Sequence, residues 1–115
     1  TYEIEEGCAL QASTINTFVQ AFWPQSMRDE VRAIENAASE DEYQRLADAF
    51  YQRHRDRFVT DYATTNPVED LAETFAVFVT TDRPTGSTVA EQKVLHLWAS
   101  PELVDLRTQI RANLG

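Results

Sequence analysis

The stretch Asn66-Pro-Val-Glu69-Asp-Leu-Ala-Glu73-Thr-Phe-Ala-Val-Phe-Val-Thr80 constrains this chain more than any other. Asn66 is a strong N-cap, and Pro67 fits the first helical position, where a missing N–H costs nothing. A helix is predicted from here to about Thr80. Glu69 and Glu73 stand four residues apart, about 40° around a helix of 3.6 residues per turn, so both point the same way. Phe75, Ala76, Val77, Phe78 and Val79 follow with no polar face, which predicts a helix buried on most sides. A buried carboxylate is costly unless it is paired, hydrogen-bonded or bound to a metal. The pair at 69 and 73 therefore needs a partner.

The surrounding pattern is helical throughout. Ile15, Phe18, Val19, Phe22 and Trp23 recur at i, i+3, i+4, i+7 and i+8, predicting an amphipathic helix capped by Ser13 or Thr14 and stopped by Pro24. Residues 1–12 read as irregular. A short helix is predicted from Ser26, with Met27, Val31 and Ile34 on its apolar side. Ser39-Glu-Asp-Glu42 and Thr88-Val-Ala-Glu91 are capping boxes. The first opens a helix with Tyr43, Leu46, Ala47, Phe50 and Tyr51 inward, fading through His54–Arg57 into a loop at 59–65. The second opens a helix with Val94, Leu95, Leu97 and Trp98. Ser100-Pro101 starts the last, with Leu103, Leu106, Ile110 and Leu114 at helical spacing. With only three glycines and four prolines, the expectation is an all-α chain of six helices in one compact unit, residues 1–115 forming a single domain or part of one.

Charge and composition exclude several function classes. A formal net charge of −9 argues against a basic patch for nucleic acid or an anionic membrane. No run reaches the ~18 apolar residues of a membrane span, and no signal peptide is visible. Cys8 is the lone cysteine and reads as a small buried hydrophobe rather than a nucleophile. His54 and His96 have no metal-ligand spacing; His54, among Arg53, Arg55 and Arg57, reads as a surface residue, and His96 as partly buried. No phosphate loop or nucleophile elbow is present. On spacing alone, Asn66-x-x-Glu69 is also a capping box, in which Glu69 reaches back to the Asn66 backbone. Glu73, a full turn deeper, is not explained by that role.

Tyr62-Ala-Thr-Thr-Asn66-Pro-Val-Glu69-Asp-Leu-Ala-Glu73-Thr-Phe-Ala resembles the second motif of gluzincin-type zinc metallopeptidases of the lethal-factor-like branch. It looks closer still to a group of bacterial secreted zinc-binding metallopeptidases. Glu6-Gly-Cys8, Phe22-Trp23, Ala90-Glu-Gln-Lys93, Pro101-Glu-Leu103, Leu106-Arg107 and Ile110-Arg111 also have counterparts there, so the resemblance extends over most of the chain. In that family an upstream H-E-x-x-H helix supplies two histidine ligands and the general base, and a later helix supplies a glutamate ligand. The resemblance implies Glu69 as the third zinc ligand, Glu73 as a carboxylate supporting the ligand set from behind, and Tyr62 as the donor to the tetrahedral intermediate.

The chain itself contains no H-E-x-x-H. The resemblance thus implies the C-terminal helical half of a zinc-dependent endopeptidase, secreted or held in the cell envelope. Its partner would be the missing N-terminal half, its substrate a polypeptide, and its cofactor zinc in the full-length protein. Alone it is expected to bind no stoichiometric zinc and to be inactive. The face left bare by the missing half predicts self-association, as a homodimer through part of the 66–80 helix. The alternative is a non-enzymatic helical binding or scaffolding module without metal; a plain bundle in which Glu69 is only a cap is the third reading.

Overall fold

A computed structural model describes residues 9–114, with side chains from Thr14 onward. It is all-helical, with six α-helices and no strand among the described residues. The helices are α1 (Ala9–Phe22), α2 (Gln25–Glu35), α3 (Glu40–His54), α4 (Pro67–Thr80), α5 (Val89–Trp98) and α6 (Pro101–Leu114). Two single 3₁₀ turns, Arg55–Arg57 and Tyr62–Thr65, lie between α3 and α4, where a plain loop was expected.

Capping residues set most boundaries. Ser39 Oγ accepts from Glu42 N at 3.1 Å, Asn66 Oδ1 from Glu69 N at 2.9 Å, and Thr88 Oγ1 from Glu91 N at 3.1 Å. Each satisfies one of the free N–H groups at a helix start. The Glu91 carboxylate also accepts from the backbone N–H of Gly86 and Ser87, both at 3.0 Å. Those donors hold its pKa below the ordinary value. Gly86 has φ +93°, and a Cβ there would lie 2.8 Å from Leu95 Cδ1, so the turn into α5 requires glycine.

Three sequence expectations are corrected. Helix α1 starts at Ala9, which places Ser13 and Thr14 inside it rather than at its cap. Ala9, Leu10, Gln11 and Ala12 are good helix formers with no breaker among them, so the helix extends upstream. The expectation for residues 1–8, Cys8 included, lies outside the described residues. Helix α2 starts at Gln25 behind Pro24, without a side-chain cap from Ser26. In α6, Leu106 and Leu114 are exposed; Leu103 is buried, and Arg107 and Arg111 turn inward to the end of α4.

Two apolar clusters form the core. Ile15, Phe18, Val19, Trp23, Met27, Val31, Ile34, Phe50, Phe58 and Ala63 make the first. Phe78, Val79, Val94, Leu97 and Leu103 make the second. Val59 and Leu71 touch both. Helix α4 joins the clusters, its first half on one and its last turns on the other. Its C-terminal carbonyls are covered by α6: Arg107 donates to Phe78 O at 2.8 Å and Thr81 O at 2.9 Å, and Arg111 to Val79 O at 2.7 Å. Cations at a helix C-terminus satisfy free carbonyls and oppose the helix dipole.

His96 lies against the rings of Phe18 and Phe22, with centroids 6.4 and 5.4 Å away. Burial pushes its pKa below 6.5. The unfolded chain then takes up a proton first as pH falls, so stability is full above the unfolded value and is lost below it. Denaturant unfolding at stepped pH should show stability declining from about pH 6.5 downward. Replacing His96 with Leu should flatten that decline. An unchanged slope in His96→Leu would show that the imidazole is not responsible.

Candidate functional site

The carboxylate that α4 buries is Asp70, not Glu69 or Glu73. Asp70 is 0% exposed, whereas Glu69 and Glu73 are half-buried. This corrects the expectation of a helix buried on most sides: Val68, Ala72, Ala76 and Thr80 form an exposed stripe along α4. Asp70, Thr74 and Phe78 form the opposite, buried stripe, spaced at i, i+4 and i+8. Asp70 Oδ2 pairs with Lys93 Nζ at 2.7 Å and accepts from Trp23 Nε1 at 2.8 Å. Thr74 Oγ1 approaches Asp70 Oδ1 at 3.4 Å. Lys93 is itself 0% exposed; it also donates to the Arg57 carbonyl and lies 4.0 Å from the centre of the Phe58 ring. Burial pushes the Asp70 carboxyl up and the Lys93 ammonium down, each opposed by the other's charge. The pair thus pins α1, α4, α5 and the Arg55–Arg57 turn at one point, one residue from Glu69.

Glu69 and Glu73 do different work. The Glu69 backbone N–H is the group capped by Asn66, but its carboxylate makes no return bond to Asn66 among the described residues. It faces Tyr62 instead. The Tyr62 hydroxyl is held above its ordinary pKa of 10.0, first by hydrogen bonding to Glu69 and by that carboxylate's charge, with smaller contributions from burial, Glu73 and Tyr43. Tyr62 is 57% exposed. Glu73 Oε1 accepts from Thr60 Oγ1 at 2.8 Å, and Thr60 Oγ1 accepts from Ala63 N at 3.2 Å. All three residues singled out in the sequence are therefore brought to one end of α4.

An open cleft of about 710 Å³ adjoins Tyr62. Val31, Ile34, Tyr43 and Phe50 line it from α2 and α3, and Tyr62 and Thr65 line its far wall. A second hollow of about 370 Å³, sharing Val31 and Glu35 with the first, runs along Arg28, Pro67 and Glu69. The first is the size of a ligand cleft. Tyr62 and Glu69 border the two hollows.

The histidines lie elsewhere. His54 is not a surface residue but half-buried, its ring 4.7 Å from Phe50 and its Nε2 3.8 Å from Glu30. Burial lowers its pKa. His96 sits at the α1–α5 contact. Among the described residues no three His, Cys, Asp or Glu side chains converge where they could hold a metal ion. Catalytic zinc takes three protein ligands. A complete zinc site does not fit the donor set of the described residues.

The Asp70–Lys93–Trp23 cluster was missed in the sequence. Its signal was Lys93, the one Lys or Arg in α5, placed directly before Val94 and four residues before Leu97. A cation on an apolar face calls for a buried anion. No helix among the described residues is long and apolar enough to cross a membrane. No family model, curated protein or solved structure matches the chain.

Proposed function

We propose that this chain is the helical half of a zinc-dependent endopeptidase, with Glu69 as the carboxylate ligand it contributes and Tyr62 as the donor to the oxyanion. The observation that carries the reading is the pairing of an exposed tyrosine hydroxyl with a helix-borne carboxylate that is not used for capping. A Glu69 serving only as a cap would fold back onto Asn66, away from Tyr62. Here Tyr62 lines one hollow and Glu69 the neighbouring one, with the hydroxyl turned to the carboxylate.

The chain's own residues have definable roles. Asn66 holds the first turn of α4, so the Glu69 side chain leaves the helix at a fixed angle. Tyr62, whose one O–H is turned to Glu69 here, would swing it toward negative charge developing on a substrate oxygen. The cleft walled by Tyr43, Phe50 and Tyr62 is where an extended polypeptide would lie. Zinc, when bound, would polarise the scissile carbonyl and activate water. The two histidine ligands and the general base come from a segment this chain does not contain. The exposed stripe of α4 at Val68, Ala72 and Ala76 is a face on which that segment can seat. Export from the cell belongs to the same proposal and rests on the resemblance alone.

The test is hydrolysis of an unstructured polypeptide by the protein translated from its complete reading frame. The expected result is cleavage that a chelator abolishes and added zinc restores. Polypeptide binding without cleavage, indifferent to chelator, would instead favour a helical binding module.

A further inference from the structure

We infer that Thr60 is a positioning residue, and that Glu73 acts through it to hold the Tyr62 turn against α4. The Tyr62–Thr65 turn is a single 3₁₀ turn, too short to fix its own orientation. Its internal bonds, from Thr64 Oγ1 to Asp61 O at 2.6 Å and from Thr65 Oγ1 to Tyr62 O at 2.7 Å, set its shape but not its direction. Apart from the contact between Tyr62 and Glu69, the Thr60–Glu73 bond is the side-chain hydrogen bond joining residues 60–65 to α4 among the described residues.

The Thr60 hydroxyl is used in both directions. Its proton goes to Glu73 Oε1, and its oxygen accepts the Ala63 N–H at the start of the turn. One hydroxyl thereby ties a carboxylate in the second turn of α4 to the backbone one residue after Tyr62. Ala63 is fully buried in the first core cluster, so the tether sits against packed side chains. The resemblance implied that Glu73 supports a ligating histidine; the geometry points to a different task. Glu69 and Glu73 then divide the labour, one facing the tyrosine and the other holding its turn in place.

This inference takes Tyr62 from the proposed function, but its test reads position rather than activity, so either can fail without the other. Thr60→Val keeps the shape of the side chain and removes the hydroxyl. Thr60→Ser keeps the hydroxyl, and Thr60→Ala is a second removal should valine not be accommodated. Nuclear Overhauser contacts from the Tyr62 ring protons, assigned by their loss in Tyr62→Phe, to the Glu69 side chain report how closely the turn lies on α4. In Thr60→Val or Thr60→Ala those contacts should weaken, and exchange of the Ala63 amide, which the Thr60 hydroxyl accepts from, should accelerate. Thr60→Ser should restore both. A general loss of stability would lower the melting temperature without changing the contacts of the folded state. Tyr62 contacts unchanged in both the valine and alanine variants would overturn the inference.

Discussion

Lys93→Met should lower the unfolding free energy by about 3–5 kcal/mol, the cost of leaving a buried charge without its partner. Asp70 would keep the Trp23 indole at 2.8 Å and Thr74 but lose the ammonium at 2.7 Å. Neither side chain of the pair is exposed, so water cannot replace the lost charge. Asp70→Asn is the mirror experiment, leaving the Lys93 charge with neutral partners: the Arg57 carbonyl, the amide and the Phe58 and Phe18 rings. The double variant Asp70→Asn with Lys93→Met removes both charges and keeps an acceptor for Trp23. It should be less destabilised than the sum of the two single variants, because each of those strands the other's charge. Urea unfolding of the four proteins closes the cycle. Strict additivity would mean that the pair is not coupled and does not pin the helices.

That buried pair also marks where sequence reading stopped. The helices were legible because their starts are written locally. Asn66-Pro67, Ser39-x-x-Glu42 and Thr88-x-x-Glu91 each place a side-chain oxygen three residues ahead of the N–H it accepts from. Helix α1 was misplaced at its start because Ser13 and Thr14, the cap-type residues nearest its apolar run, lie inside it. The inward face of α4 was not legible. Glu69, Asp70 and Glu73 are three acids within five residues, and the apolar residues after them do not say which one turns inward. The choice was made by tertiary partners 47 and 23 residues away, Trp23 and Lys93. The end of α6 was misread for a related reason. Arg107 and Arg111 cover α4 carbonyls while Leu106 and Leu114 face out, a preference visible only once the α4 terminus is in place.

The site fared differently. Tyr62, Glu69 and Glu73, which the sequence singles out, share one end of α4. They are not a buried pair in need of a counter-charge; Asp70 and Lys93 carry that role. Glu69 and Glu73 stay half-exposed, Glu69 on the smaller hollow and Glu73 against Thr60. Glu73 is tied to Thr60, which leaves Glu69 as the carboxylate with no committed structural partner other than Tyr62.

Glu69→Ala should therefore have a small effect on folding and a large one on the completed protein. Its backbone N–H remains capped by Asn66, so α4 should form normally, with a change in stability within about 0.5 kcal/mol. If Glu69 is a zinc ligand, losing it should weaken metal binding by more than the ~10–100-fold that follows loss of a merely supporting group. Hydrolysis should fall with it. The measurement that tests this most directly is zinc content by elemental analysis after dialysis, on the protein from its complete reading frame, beside its Glu69→Ala variant. The account predicts one zinc per chain in the parent and almost none in the variant, with both folded to the same helical content. Zinc retained at full stoichiometry in Glu69→Ala, or absent from the parent, would contradict it.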